Sequence, residues 1–227
     1  MQKDVISSPA VRHLVLPLVL LAAALAGLRA VGADEAIADH YFDPVTRTFP
    51  LQDDVWTEEV LHRGARKAVL AVGVTCLAIT FLGKRRVSPA TREAAVMMLG
   101  SIIACTATVA VLKAAVNLNC PWSYVRWGGQ LPEVSDAPLL KLHGHDGAFP
   151  AGHAAGGFSL WILYFIGRRH SPAAARAGFA IALVTGAILG YSQVMRGAHF
   201  LSHNLWTAAI CWILAARVDL LVPRRAP

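Results

Sequence analysis

Six apolar runs with short polar stretches between them decide what this chain can become. They cover residues 14–31, 65–82, 94–116, 152–166, 179–195 and 205–222. A helix crosses the hydrocarbon of a bilayer in about 20 residues, and so many runs near that length do not fit one soluble core. Of the 227 residues, 56% are hydrophobic and 15% charged, and the mean hydropathy is +0.50. That balance predicts an all-α membrane bundle of six transmembrane helices, in one domain covering residues 1–227. No internal repeat or low-complexity linker divides it.

The charges orient the bundle. Lys3 and Arg12, then Lys84, Arg85, Arg86 and Arg92, then Arg168, Arg169 and Arg176, then Arg224 and Arg225 mark alternate ends of the runs. By the positive-inside rule these ends, and both termini, face the cytoplasm. Loops 33–64, 117–151 and 196–204 then face outward, which suits the acid-rich first loop. A net charge of +7 can signal nucleic acid, but here it is split into clusters between apolar runs and reads as topology, so no nucleic-acid partner is expected. The first run could be a signal peptide, since small residues end at Ala33, but its length favours a retained helix. Residues 53–62 resemble a short interfacial amphipathic helix, in a stretch otherwise read as a solvated loop broken by Pro44 and Pro50. Cys76, Cys105 and Cys211 lie in apolar runs as small buried residues, and Cys120 stands alone in a polar loop. No C-x-x-C pair argues for a zinc knuckle or a dithiol.

Two stretches carry ionisable groups where polar sequence meets apolar. Residues 190–206 read GYSQVMRGAHFLSHNLW, with Arg196, His199 and His203; residues 149–157 read FPAGHAAGG, with His153. The predicted topology brings these to one membrane face, together with Lys113 near the outward end of the third helix. A single histidine at a helix end is ordinarily a satisfied polar group. Three with a lysine and an arginine at one depth point to a site, because such groups are costly near hydrocarbon. The chemistry they suit is phosphoryl transfer. Cations and backbone N–H groups surround the equatorial oxygens, a neutral histidine attacks phosphorus, and a protonated one protonates the leaving oxygen. The stretch Pro150–Ala151–Gly152–His153 opens a helix, where free N–H groups can receive an anion.

Three segments carry a family resemblance: Lys113-AAVNLN-Cys120-Pro121, then Pro150-Ala151-Gly152-His153, then Ser192-Gln193-VMRGA-His199-FLS-His203. In spacing and order they resemble the K-x6-R-P, P-S-G-H and S-R-x5-H-x3-D signature of the type-2 phosphatidic acid phosphatase superfamily. These are membrane lipid phosphatases related in fold to vanadium haloperoxidases. The resemblance covers about residues 65–220 and suggests a divergent subgroup. It implies His199 as nucleophile and His153 as general acid, with His203 in the place of the orienting aspartate. It implies phosphate binding by Lys113 and by the N–H groups of Ala151, Gly152 and His153, with no metal or other cofactor. Both family arginines are replaced, by Cys120 and Gln193. Arg126 and Arg196 lie nearby and are expected to supply the missing charge. The alternative for Arg126 is an interfacial residue in an aromatic belt with Trp122, Tyr124 and Trp127. As a neutral acceptor His203 could orient His199; Asp146 or Asp136 could do so instead.

The implied activity is hydrolysis, or transfer, of phosphate from a membrane lipid through a phosphohistidine. The implied setting is a bacterial inner membrane with the site facing the periplasm. Lipid A phosphates, undecaprenyl pyrophosphate, phosphatidylglycerol phosphate and phosphatidic acid are the candidate substrates, and oligomeric state is left open. Two other readings stand beside this one. His143, His145, Asp146, His153, His199 and His203 could form a metallohydrolase site, although no Glu lies between His199 and His203 to complete H-E-x-x-H. Or the three substitutions could leave a protein that binds lipid phosphate without turnover.

Overall fold

The computed structural model describes residue 13 and residues 15–82, 86–116, 118–132 and 146–223. Lys3, Arg12, Lys84, Arg85, Asp136, His143, His145, Arg224 and Arg225 lie outside the described residues. Helix α1 (Leu16–Ala30) has Pro17 in its first turn, where a missing N–H costs nothing. Gly32 follows with a φ of 60°, and the chain bends by 67° into α2 (Ala33–Tyr41). Residues Trp56–Gly64 wind as a π-helix and pass directly into α3 (Ala65–Leu82). Helix α4 (Pro89–Val116) opens on Ser88, whose Oγ accepts the Thr91 N–H at 3.1 Å. After α5 (Gly152–Phe158) come a 3₁₀ turn (Ser159–Trp161) and α6 (Ile162–Gly167). Helix α7 (Pro172–Met195) is capped by Ser171, and α8 (Leu201–Leu221) closes the bundle.

The protein is an all-α, multi-pass membrane protein. Among the described residues four helical stretches are long and apolar enough to cross a bilayer: Trp56–Leu82, Pro89–Ser123, Pro172–Met195 and Leu201–Leu221; the bent α1–α2 pair makes a fifth if it is one span. The 152–166 run, expected as one helix, is broken into three pieces. Ser159 causes part of this, because its Oγ donates back to the Gly156 carbonyl at 2.7 Å and tightens the winding. The freed Ser159 carbonyl accepts from Ser101 Oγ of α4, also at 2.7 Å. This segment is packed inside the bundle and meets protein more than lipid. A Cβ on Gly157 would come within 2.6 Å of the Gly186 Cα, so glycine is what lets α5 and α7 touch backbone to backbone. Helices α4, α7 and α8 begin a few residues before their apolar runs, since caps and prolines set a helix start and hydropathy does not. The polar stretch after α1, expected as a loop, contains α2, and its amphipathic tail is continuous with α3.

Met97, Cys105, Phe158, Trp161, Ile162, Phe165 and Trp212 form the centre of the core. Cys76, Cys105 and Cys211 are buried free thiols as expected, and Cys120 is buried as well. At one end of the bundle Arg169, expected only as a topology signal, is a clamp. It pairs with Glu93 of α4 and with Asp219 of α8 (2.6 Å), and donates to the carbonyls of Asp219 and Val222, both at 3.0 Å. At the opposite end the three long loops close on one another. Trp122 donates to the Gly197 carbonyl (3.2 Å), Ala148 to that of Leu118 (2.7 Å), and the Ser202 N–H to Asp34 (2.9 Å). Phe49 lies against Gly197, whose φ of 73° ends α7.

Candidate active site

The loop-covered end gathers most of the residues singled out by spacing. Lys113 rises from the last turn of α4, and its Nζ would lie 3.7 Å from a Cβ on Gly152. The amine therefore sits over the start of α5, one residue from His153. That corner is pinned to α8. The Ala151 N–H donates to Thr207 Oγ1 at 2.9 Å, and Thr207 Oγ1 donates to the His203 carbonyl at 2.9 Å. Ala151 is thus corrected as a phosphate donor, because its N–H is spent inside the fold. The N–H groups of Gly152 and His153, at the first turn of α5, have no helical acceptor.

His199 and His203 are both buried, with ring centroids 6.0 Å apart. His203 Nδ1 lies 3.0 Å from the Ala148 carbonyl. A carbonyl accepts only, so this bond assigns the proton to Nδ1 and leaves Nε2 as an acceptor. His199 Nδ1 is buried and makes no hydrogen bond of normal geometry, although the Ala148 carbonyl is near enough to favour its charged form. Burial pushes the His199 imidazole well below its ordinary range, and His203 and Lys113 add to that. The ring is therefore neutral at pH 7, the state that a nucleophile needs.

Arg196 is 6% exposed and spans three partners: the Gln52 carbonyl (Nε, 2.8 Å), Gln193 Oε1 (Nη1, 3.0 Å) and the Glu58 carboxylate (Nη2). Gln193, where the resemblance leads one to expect arginine, thus carries Arg196 as its partner. Arg126 is held elsewhere. Its guanidinium pairs with Asp39 of α2 (2.6 and 3.1 Å) and stacks over Trp127, whose indole N–H shares the same carboxylate. Trp127 and Tyr124 form a small cluster with Phe49 and Ala38, close to the aromatic alternative weighed for this residue. Asp146 is tied to the 118–123 stretch, where its Oδ2 accepts from the Cys120 N–H (3.0 Å) and from Ser123 Oγ. Among the described residues no group of three or more His, Cys, Asp or Glu side chains converges as a metal site.

A profile of the PAP2 superfamily matches residues 94–226, more than half of the chain, and all three motif segments lie inside the match. The chain belongs to the PAP2 superfamily. No curated protein and no solved structure matches it. Its PAP2 domain is a hydrolase fold, and in a multi-pass helical protein its substrate is a membrane lipid.

Two residues beside this candidate site lie outside the match. His62 packs its ring on His153, with centroids 3.9 Å apart, and His62 Nδ1 bonds Glu58 Oε2 at 2.8 Å. Their i, i+4 spacing on an amphipathic helix was visible in sequence. Nothing in it told that the helix turns toward His153. Next to them a cavity of about 240 Å³ opens between α3, α4, α5 and α7, lined by Arg66, Thr106, Gly152, His153 and Gly156.

Proposed function

We propose that this PAP2 protein removes phosphate from a membrane lipid phosphate by way of a phosphohistidine. One observation carries the reading: segments far apart in sequence bring Lys113, the Gly152–His153 turn, His199 and His203 around the single Ala148–Ala151 corner. His199 Nε2 attacks phosphorus as the bond to the lipid oxygen breaks. His153 gives its proton to that oxygen. His153, now neutral, takes a proton from water, which attacks the phosphohistidine; phosphate leaves, and both histidines return to their first states. Lys113 and the N–H groups of Gly152 and His153 stabilise the charge on the equatorial oxygens. His203, its proton fixed on Nδ1, offers Nε2 as the neutral acceptor that stands in for a carboxylate. Arg196 adds positive charge at the pocket edge while it holds Glu58. Arg126, paired with Asp39 on the rim, meets the lipid headgroup and not the transferred phosphate.

In this reading the 152–167 segment is a sixth, internal crossing, shielded by α4, α7 and α8. Both termini then face the cytoplasm, and the site faces outward, periplasmic in a double-membraned bacterium. The cavity beside His153 gives the lipid a lateral way in. The test is phosphate release by purified protein from a panel of lipid mono- and diphosphates, with and without EDTA and with and without a lipid acceptor. Turnover that survives EDTA supports the metal-free reading. Lipid phosphate binding without turnover moves the binding-protein reading to the front.

A further inference from the structure

Glu58 and His62 stand beside the proposed acid and belong to none of the three motif segments. One helical turn separates them, and Glu58 Oε2 bonds His62 Nδ1 at 2.8 Å. The same carboxylate accepts from Arg63 Nε (2.9 Å) of its own helix and from Arg196 at the end of α7. His62 is in ring contact with His153, with centroids 3.9 Å apart and planes tilted by 53°. The other charged groups acting on His153 are Arg66 of α3, Lys113 of α4 and Arg196. All are cations. A general acid must hold its proton while the ester is bound, and a ring of cations works against that. Two imidazolium rings in contact would also repel, which adds to the work against the acid's proton. Glu58 brings the carboxylate that offsets these charges, and it is held in place from three sides.

We infer that Glu58 and His62 are positioning residues for His153: His62 braces the acid's ring, and Glu58 behind it supplies the negative charge that helps the acid hold its proton. This rests on His153 being the general acid. It assigns a task to the helix that precedes the PAP2 match, and explains why Arg196 is turned toward Glu58 when the family arginine is missing at Gln193.

The test is the pH–rate profile of phosphate release by the full-length protein in lipid–detergent micelles. Wild type is compared with Glu58→Gln, Glu58→Asp, His62→Phe, the Glu58→Gln/His62→Phe double variant and His153→Ala. Removal of the Glu58 charge is expected to move the alkaline limb to lower pH by at least about half a unit and to lower kcat at pH 7.5 by roughly 10-fold, with KM unchanged. Asp at 58 restores most of the rate. Phe at 62 keeps the ring contact without the titrating group; it lowers kcat alone, and in its presence Glu58→Gln shifts the limb no further. If Glu58→Gln folds poorly, the Asp and Phe variants still carry the comparison. Identical alkaline limbs in wild type, Glu58→Gln and His62→Phe, or a change confined to KM, overturn the inference. An active His153→Ala instead removes its foundation, whereas an inactive one with unshifted limbs in the other variants rejects this inference alone.

Discussion

Replacing Arg196 with methionine tests the site's architecture without touching a histidine. The side chain is 6% exposed and joins Gln52 and Glu58, from the segment before α3, to Gln193 in the last turn of α7. Methionine keeps much of the stem volume and deletes the charge. The Gln52 carbonyl and Gln193 Oε1 lose their donor, and Glu58 loses one of three. Removing one partner of a buried pair costs about 3–5 kcal/mol. Glu58 retains His62 at 2.8 Å and Arg63 at 2.9 Å, so the low end applies, about 3 kcal/mol, or roughly a 150-fold shift of the folding equilibrium. Glu58→Gln added to Arg196→Met removes the stranded charge, and a coupling of at least about 1 kcal/mol is expected. The assay is denaturant unfolding in detergent, followed by tryptophan fluorescence, for both single variants and the double. A loss under about 1 kcal/mol for Arg196→Met, with no coupling to position 58, would mean that Arg196 is solvated and that the pocket edge is not built as described.

Three further outcomes follow from the geometry. His199 is held neutral in the fold while an unfolded histidine protonates near pH 6.5, so the unfolded state binds the extra proton first and stability falls as pH drops below about 6.5; His199→Gln flattens that slope in melting curves taken between pH 7.5 and 5. Alanine at Gly186 or Gly157 forces α5 and α7 apart, with a loss of about 1–3 kcal/mol in the same unfolding assay. Arg126→Gln gives up an exposed pair with Asp39 that is worth under about 1 kcal/mol, and raises KM several-fold with kcat unchanged if the residue meets only the headgroup.

The ligand-like residues were legible because their spacing is local. Lys113 sits in the last turn of α4, His153 in the first turn of α5, and His199 and His203 lie across the α7–α8 junction, as apolar runs and polar breaks foretold. What the sequence hid is tertiary. Ala151 looks like a free N–H donor until Thr207 Oγ1 of α8 accepts its hydrogen bond. Arg126 and Arg196 were equal candidates for the missing arginines, and the carboxylates that pair with them, Asp39 and Glu58, lie on other elements that their spacing could not reveal. The 152–166 run scores as apolar helix, yet Ser159 and Ser101 together stabilise a break that no periodicity records. Basic residues were read as topology marks, and only the folded chain distinguishes Arg169, with two carboxylates on it, from an ordinary interfacial arginine.

The central claim is that His199 becomes phosphorylated and His153 supplies the proton. The direct measurement is rapid quench of the purified protein with a lipid phosphate labelled in its phosphoryl group, in alkaline quench and followed by peptide mapping. The account predicts label on the His199 peptide in wild type, lost on acid treatment. It predicts no label in His199→Ala, and rates at least about 100-fold below wild type in both His199→Ala and His153→Ala. Label on another residue, or turnover in His199→Ala near the wild-type rate, contradicts it.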